Sequence, residues 1–190
     1  NGYDEAEFPP LGTPSIIRNR VFTITYTGEL YQRRNPRPLF RALRRLLDLG
    51  IIAPGTARFD LIGQCDMAEG KPVQDMVVQH GLTGYVTLLG PLDKTSVLRH
   101  VLASDLLLVL AEGWTMQIPI KAYEYLRSGR AILALTSEGA LADLLRVTGG
   151  ARVIDPTDDA GIVDAVASAY GAWKRGVASL TADPHVVATF

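Results

Sequence analysis

The sequence predicts an α/β domain built on a doubly wound, Rossmann-like, six-stranded parallel sheet with helices on both faces. Three observations carry that expectation. Apolar, β-rich segments alternate with helix-period segments six times between residues 21 and 173. The joints between them are short and rich in Gly or Pro. Residues 106–110 read Leu-Leu-Leu-Val-Leu, the uniformly apolar pattern of a central strand covered on both sides. Parallel strands need helix-length returns, and such crossovers are right-handed. In folds of this kind the ligand lies beyond the carboxyl ends of the strands.

Residues 1–20 are expected to form an interdomain linker, because Pro9, Pro10, Gly12 and Pro14 break any regular element. The domain is read over 21–180, and 181–190 as the start of a C-terminal tail. The first strand, 21–27, precedes a helix over 38–49. A second, 58–62, precedes 73–80, and a third, 85–89, precedes 94–103. The fourth strand, 106–110, leads into a helix opened by Pro119 and stopped by Gly129. Strands over 131–135 and 151–154 precede helices over 140–147 and 160–173.

Composition narrows the function. The 190 residues are 47% hydrophobic, enough for one real core. A net charge of -1 argues against a broad duplex-binding surface, so no nucleic-acid partner is expected. No apolar run reaches the roughly 20 residues of a spanning helix. One cysteine, Cys65, permits no internal disulfide and suits a cytoplasmic setting. The chain opens on Asn1-Gly2-Tyr3-Asp4 without an initiator Met and reads as a piece of a longer protein, whose remainder could sit at the inner membrane.

The segments after the strands hold the candidate site residues. Gly28 follows the first strand and would let a ligand approach the backbone, with Arg33 and Arg34 on the same loop able to grip phosphate oxygens. Neither a dinucleotide fingerprint nor a P-loop is present. Glycines Gly63 and Gly90 follow the second and third strands, where a plain turn is the alternative. Cys65 has no evident histidine partner and reads as a buried, inert thiol. Thr136 or Ser137 is expected to cap the fifth helix. His80, His100 and His185 lack metal-ligand spacing, so no metal site is expected.

The Pro119 helix is the most pointed signal. Lys121 falls in its first turn, where the helix dipole disfavours a cation by roughly 0.3–1 kcal/mol unless an anion compensates. Gln117, Lys121, Glu124 and Ser128 share one face, opposite Ile118, Ala122, Tyr125 and Leu126. An ordinary surface pair between Lys121 and Glu124 is the alternative, although the lysine precedes the glutamate, the less favourable order.

Taken in order, Asn1-Gly2-Tyr3-Asp4, Tyr26-Thr27-Gly28, Leu61-Ile62-Gly63, Leu88-Leu89-Gly90, Ala103-Ser104-Asp105-Leu106, Lys121 and Glu124 with Gly129-Arg130, and Val153-Ile154-Asp155-Pro156 resemble the carboxyl half of GT-B glycosyltransferases. The resemblance is closest to the large retaining family four, also called group 1. It implies one Rossmann-like half of a GT-B fold, with a nucleotide-diphosphate sugar as donor substrate and no cofactor. It also implies an N-terminal acceptor domain in the same polypeptide and an acceptor that is a glycan, a lipid or a small molecule. Glu124 matches the glutamate that hydrogen-bonds the donor ribose, Gly28 lies near the diphosphate, and Arg34 or Arg33 neutralises it beside Lys121. The base region falls on Gly90, Pro91 and Leu92.

Two positions depart from the family pattern: Glu29 stands where many members carry an arginine, and Met116 where many carry a second glutamate. The catalytic residues are therefore unassigned, with Glu112 and Gln117 as candidate sugar contacts. The implied reaction is metal-independent sugar transfer with retention, and this half alone is expected to bind donor without catalysing. The competing readings are a nucleotide-sugar epimerase of the same architecture and a catalytically silent nucleotide-binding domain.

Overall fold

The computed structural model describes residues 2–8, 19–31, 33–113, 115–177 and 179–190. The linker prolines Pro9, Pro10 and Pro14, with Gly12, lie outside the described residues. The chain runs β1 (Phe22–Thr27), α1 (Arg37–Asp48), β2 (Ala57–Ile62), a hairpin of β3 (Met67–Ala68) and β4 (Lys71–Pro72), α2 (Val73–Gln79), β5 (Val86–Gly90) and α3 (Lys94–Ala103). It continues with β6 (Leu106–Ala111), α4 (Ile120–Ser128), β7 (Ile132–Thr136), α5 (Ala140–Thr148), β8 (Ala151–Ile154), α6 (Asp159–Arg175) and α7 (Pro184–Val187).

Six strands form one sheet in the order β5-β2-β1-β6-β7-β8, and every neighbouring pair is parallel. The chain builds outward from β1 through β2 to β5, then returns to β6 on the other side of β1 and builds outward again. The predicted doubly wound, Rossmann-like fold is the one observed, and Leu106–Ala111 is fully buried at mid-sheet. Strand order reverses between β1 and β6, which makes their carboxyl ends the place for a ligand.

Each helix is held by its apolar stripe. In α1, Leu39, Phe40, Leu43 and Leu46 are buried at helical spacing, and each such side chain contributes about 1.5–3 kcal/mol by burial. They join a cluster with Phe22, Ile24 and Tyr26 of β1 and with residues of α2 and α6. A second cluster joins the other face of the sheet to α4 and α5 through Ala122, Tyr125, Leu126, Leu141 and Leu145. Gly129 ends α4 in the left-handed region at φ 68°, as its predicted stop position requires.

Residues 2–8 return to the domain and pack against α4. Arg127, near the end of α4, forms a two-pronged ion pair with Glu5 at 2.6 and 2.7 Å and lies beside the rings of Tyr3 and Phe8, which pack edge to face. Tyr3 donates its hydroxyl to the carbonyl of Val187, so both described ends of the chain meet beside α4.

The β3–β4 hairpin and α7 escaped sequence reading, α7 lying where only a tail was expected. The β3–β4 hairpin turns at Glu69 and Gly70, both at positive φ, and its two-residue strands are too short to show alternation. The expected side-chain cap of α5 is also absent. Gly139 occupies the N-cap, and the Ala140 N–H is instead taken by the carbonyl of Thr115 at 2.8 Å. Ser137 turns the other way, its Oγ accepting the Gly113 N–H at 3.2 Å. The loops after β6 and β7 therefore brace each other.

Candidate functional site

Strands β1 and β6 pair only at Ile24 with Leu106 and at Thr25 with Leu107, then part company. The Gly28 N–H points to β2, where it donates to Ile62 O at 2.8 Å. By strand alternation, the polar backbone groups of Thr27 point into the gap left by β6. Two side chains of α4, one helical turn apart, satisfy them. Tyr125, fully buried, receives the Thr27 N–H on its hydroxyl at 3.0 Å and shares a hydrogen bond with Thr27 Oγ1 at 2.9 Å. Lys121 donates from Nζ to the carbonyl of Thr27.

This pinning decides where the start of α4 sits. The Lys121 ammonium reaches across the end of β1 to the ring face of Tyr26, 3.9 Å from the centroid. A Cβ on Gly28 would stand 2.8 Å from Lys121 Nζ and push the amine aside, and the φ of 117° there itself favours glycine. Beneath it, a Cβ on Gly63 would overlap the Gly28 carbonyl, which also accepts from Cys65 Sγ at 3.3 Å. Replacing Tyr125 with phenylalanine leaves the buried Thr27 N–H without its acceptor. The expected loss is about 1–3 kcal/mol in stability, read as a lower urea midpoint at unchanged slope.

Lys121 and Glu124 do not form the surface pair that was the alternative reading, since Lys121 turns to Thr27 and no ion pair joins the two. Glu124 is half-buried one turn along α4 and acts on both Lys121 and Lys94 through its charge. From the β1–α1 loop, Arg33 sits at φ 59° and lays its guanidinium against Gly113. Arg34 stacks over Tyr31 at 4.3 Å and acts electrostatically on Tyr26 and Lys121. Gly28, Arg33, Arg34, Lys121 and Glu124 thus gather at the strand-order reversal. Gly28 contributes the space it leaves, because its N–H is engaged in the sheet.

The remaining candidates spread along the same rim. Gly90 ends β5 and its carbonyl accepts the Gly63 N–H at 2.8 Å, while Pro91 and Leu92 are exposed ahead of α3. Gln117 is exposed, and Met116 is 87% exposed. Glu112 is half-buried and lines a cleft of about 350 Å³ with Asn35, Arg37, Pro38, Arg41, Pro156 and Thr157. That cleft opens on the α1 side of the rim, away from Lys121 on α4.

Burial dominates the electrostatics. It pushes the Cys65 thiol up to about 12 and holds the phenols of Tyr26 and Tyr125 far above the usual range. The Lys121 amine is pulled down to about 7, first by burial and then by the Arg34 charge. Cys65 is therefore inert, as its sequence context suggested. Among the described residues, no three His, Cys, Asp or Glu side chains are placed to hold a metal ion. Nor is any described helix long and apolar enough to cross a membrane.

The family model for Glycosyl transferases group 1 matches residues 21–171. The chain belongs to this family. No curated protein sequence matches this chain significantly. Among solved structures, sucrose-phosphate synthase from Thermosynechococcus elongatus superposes with a TM-score of 0.67 at 16% identity, over 92% of this chain and 43% of that one. Anabaena HepE in complex with UDP gives 0.60 at 16%, over 84% and 42%. The pneumococcal O-GlcNAc transferase GtfA, in complex with UDP and GlcNAc, gives 0.59 at 15%, over 85% and 30%. At these identities the likeness is one of fold, that of a Rossmann-like half of a GT-B glycosyltransferase. The group 1 chain spans less than half the length of each of these three structures.

Sequence reading missed the parts of this group 1 chain that place Lys121. Tyr125 reads as core on the face opposite Lys121, and the structure corrects this: four residues apart, the two lie side by side and both reach Thr27, where the buried phenol finds its partner. Tyr26 and Thr27 entered the sequence reading only as the residues before Gly28, and Gly113 not as a site residue, since their roles depend on contacts between loops distant in sequence.

Proposed function

We propose that this chain is the nucleotide-sugar-binding half of a retaining GT-B glycosyltransferase, completed by an N-terminal acceptor domain of the same polypeptide. The observation that carries the reading is the Lys121 amine held against Gly28 at the strand-order reversal, with the Arg34 charge acting on it and Arg33 laid against Gly113 across the gap between β1 and β6. In the proposed reaction, the bond between the sugar's anomeric carbon and the diphosphate oxygen breaks. Negative charge grows on the leaving diphosphate, and the three cations with the uncapped start of α4 stabilise it. Protein cations thereby fill the role a metal ion would play. The base would lie by Gly90, Pro91 and Leu92, and the ribose on Glu124. The sugar would project toward Glu112 and Gln117, where the second domain brings the acceptor.

Glu124 tests the orientation of the donor. Glu124→Gln removes the charge and keeps the shape, and Glu124→Ala removes both. If the carboxylate accepts ribose hydroxyls, alanine weakens nucleotide binding by about 1.5–3 kcal/mol in calorimetric titration and glutamine by less. Unchanged affinity in both variants would remove Glu124 from the site.

A further inference from the structure

The cleft of about 350 Å³ on the α1 side of the rim is left unused by a nucleotide whose diphosphate lies at Gly28. Its volume falls at the small end of ligand clefts, about 300–1,000 Å³. Three loops distant in sequence build it, and most of their polar groups are already committed and so fixed in place. Before α1, Asn35 accepts the Arg37 N–H on Oδ1 at 2.9 Å and donates to Glu69 at 2.6 Å. Within α1, Arg41 is gripped by Asp159 through three hydrogen bonds of 2.7, 3.1 and 3.1 Å. After β8, Thr157 turns onto Asp155, which accepts its N–H at 2.9 Å and its hydroxyl at 2.6 Å. Two charged side chains are left over. Among the described residues, Arg37 and Glu112 are in no ion pair and no side-chain hydrogen bond, although both are half-buried and line the same cleft.

This lining selects one ligand chemistry. With Arg41 neutralised by Asp159, the charges of Arg37 and Glu112 cancel, so an anion would lose at one wall what it gains at the other. A lipid chain would strip water from both charged groups and offer nothing in its place. Sugar hydroxyls both donate and accept, and so serve a carboxylate and a guanidinium together. The apolar faces of Pro38 and Pro156 suit the C–H face of a pyranose ring. We propose that this cleft binds a saccharide unit of the acceptor, so that the acceptor is a carbohydrate. The proposal rests on the donor-site reading above, which directs the transferred sugar toward Glu112.

Amide NMR mapping of the 190-residue chain tests this, with glucose, mannose, galactose, N-acetylglucosamine and maltose as probes at millimolar concentrations. At least one of them should shift the amides of Asn35, Arg37, Glu112 and Thr157. Arg37→Ala should weaken that binding about ten- to a hundredfold, the loss of hydrogen bonds to a charged group. Because the Arg37 side chain supports no other described residue, the variant should fold as the parent does and bind nucleotide with unchanged affinity. Glucose 6-phosphate should occupy the cleft no more tightly than glucose. No shift with any probe, shifts confined to the surroundings of Gly28 and Lys121, or a clear preference for glucose 6-phosphate would overturn the proposal and leave the donor site standing. A chain that binds a sugar in the cleft but no nucleoside diphosphate would overturn the acceptor assignment together with the donor-site reading.

Discussion

Gly63→Ala is expected to destabilise the domain by about 3–5 kcal/mol, the sum of a strained positive φ and an overpacked contact. Gly63 sits at φ 115°, and an added Cβ would overlap the carbonyl oxygen of Gly28. That oxygen has nowhere to go, because Gly28 is tied by its N–H to Ile62 and by its carbonyl to Cys65. Gly55→Ala is the matched control: it too has positive φ, 74°, but nothing within 4 Å of the added atom. It should lose about 1–2 kcal/mol, the cost of the left-handed backbone alone. Urea unfolding of both variants separates strain from clash, and equal midpoints would show that β1 and β2 do not interlock as described. A folded Gly63→Ala protein should also bind nucleotide weakly, because the Gly28 loop beneath Lys121 must move.

Lys121→Met should act in opposite directions on stability and binding. Loss of the charge-assisted contacts to a diphosphate weakens nucleotide affinity by about 1.5–3 kcal/mol. Without ligand, the variant should be the more stable protein at pH 6, where relief of the disfavoured charge outweighs the donor lost to the Thr27 carbonyl. The folded state holds the amine near 7 whereas the unfolded chain holds it near 10.5, so the unfolded state binds more protons between these values. The penalty on the wild type is full below about pH 7 and fades as pH rises toward 10.5. The melting-temperature advantage of Lys121→Met should therefore be largest near pH 6 and smaller near pH 9. An advantage that grows with pH, or a variant less stable at pH 6, would show that the amine is not held against its charge.

The architecture was legible because each of its signals is local. Uniform apolarity marked β6 and helical spacing marked α1, and observed element ends lie within one or two residues of those expected. Lys121 was legible as well, since a cation in a first turn contradicts the helix dipole wherever the helix lies. Its partner was not. Only the parting of β1 from β6 after Thr25 leaves Thr27 open to α4, and sheet register cannot be read from the β1 segment alone. The cap of α5 failed for a related reason. Ser137 is a good capping residue locally, but docking of the β6 loop supplied a backbone carbonyl and drew Ser137 to Gly113. Local propensity decided elements, and contacts between loops decided the site.

Calorimetric titration of the folded chain with UDP, GDP, ADP and their sugars tests the donor-site assignment most directly. One nucleotide of the panel should bind with a stoichiometry of about one, and Lys121→Met and Glu124→Ala should each weaken it. A folded sample that binds none of them, or binds one with both variants unaffected, would contradict it.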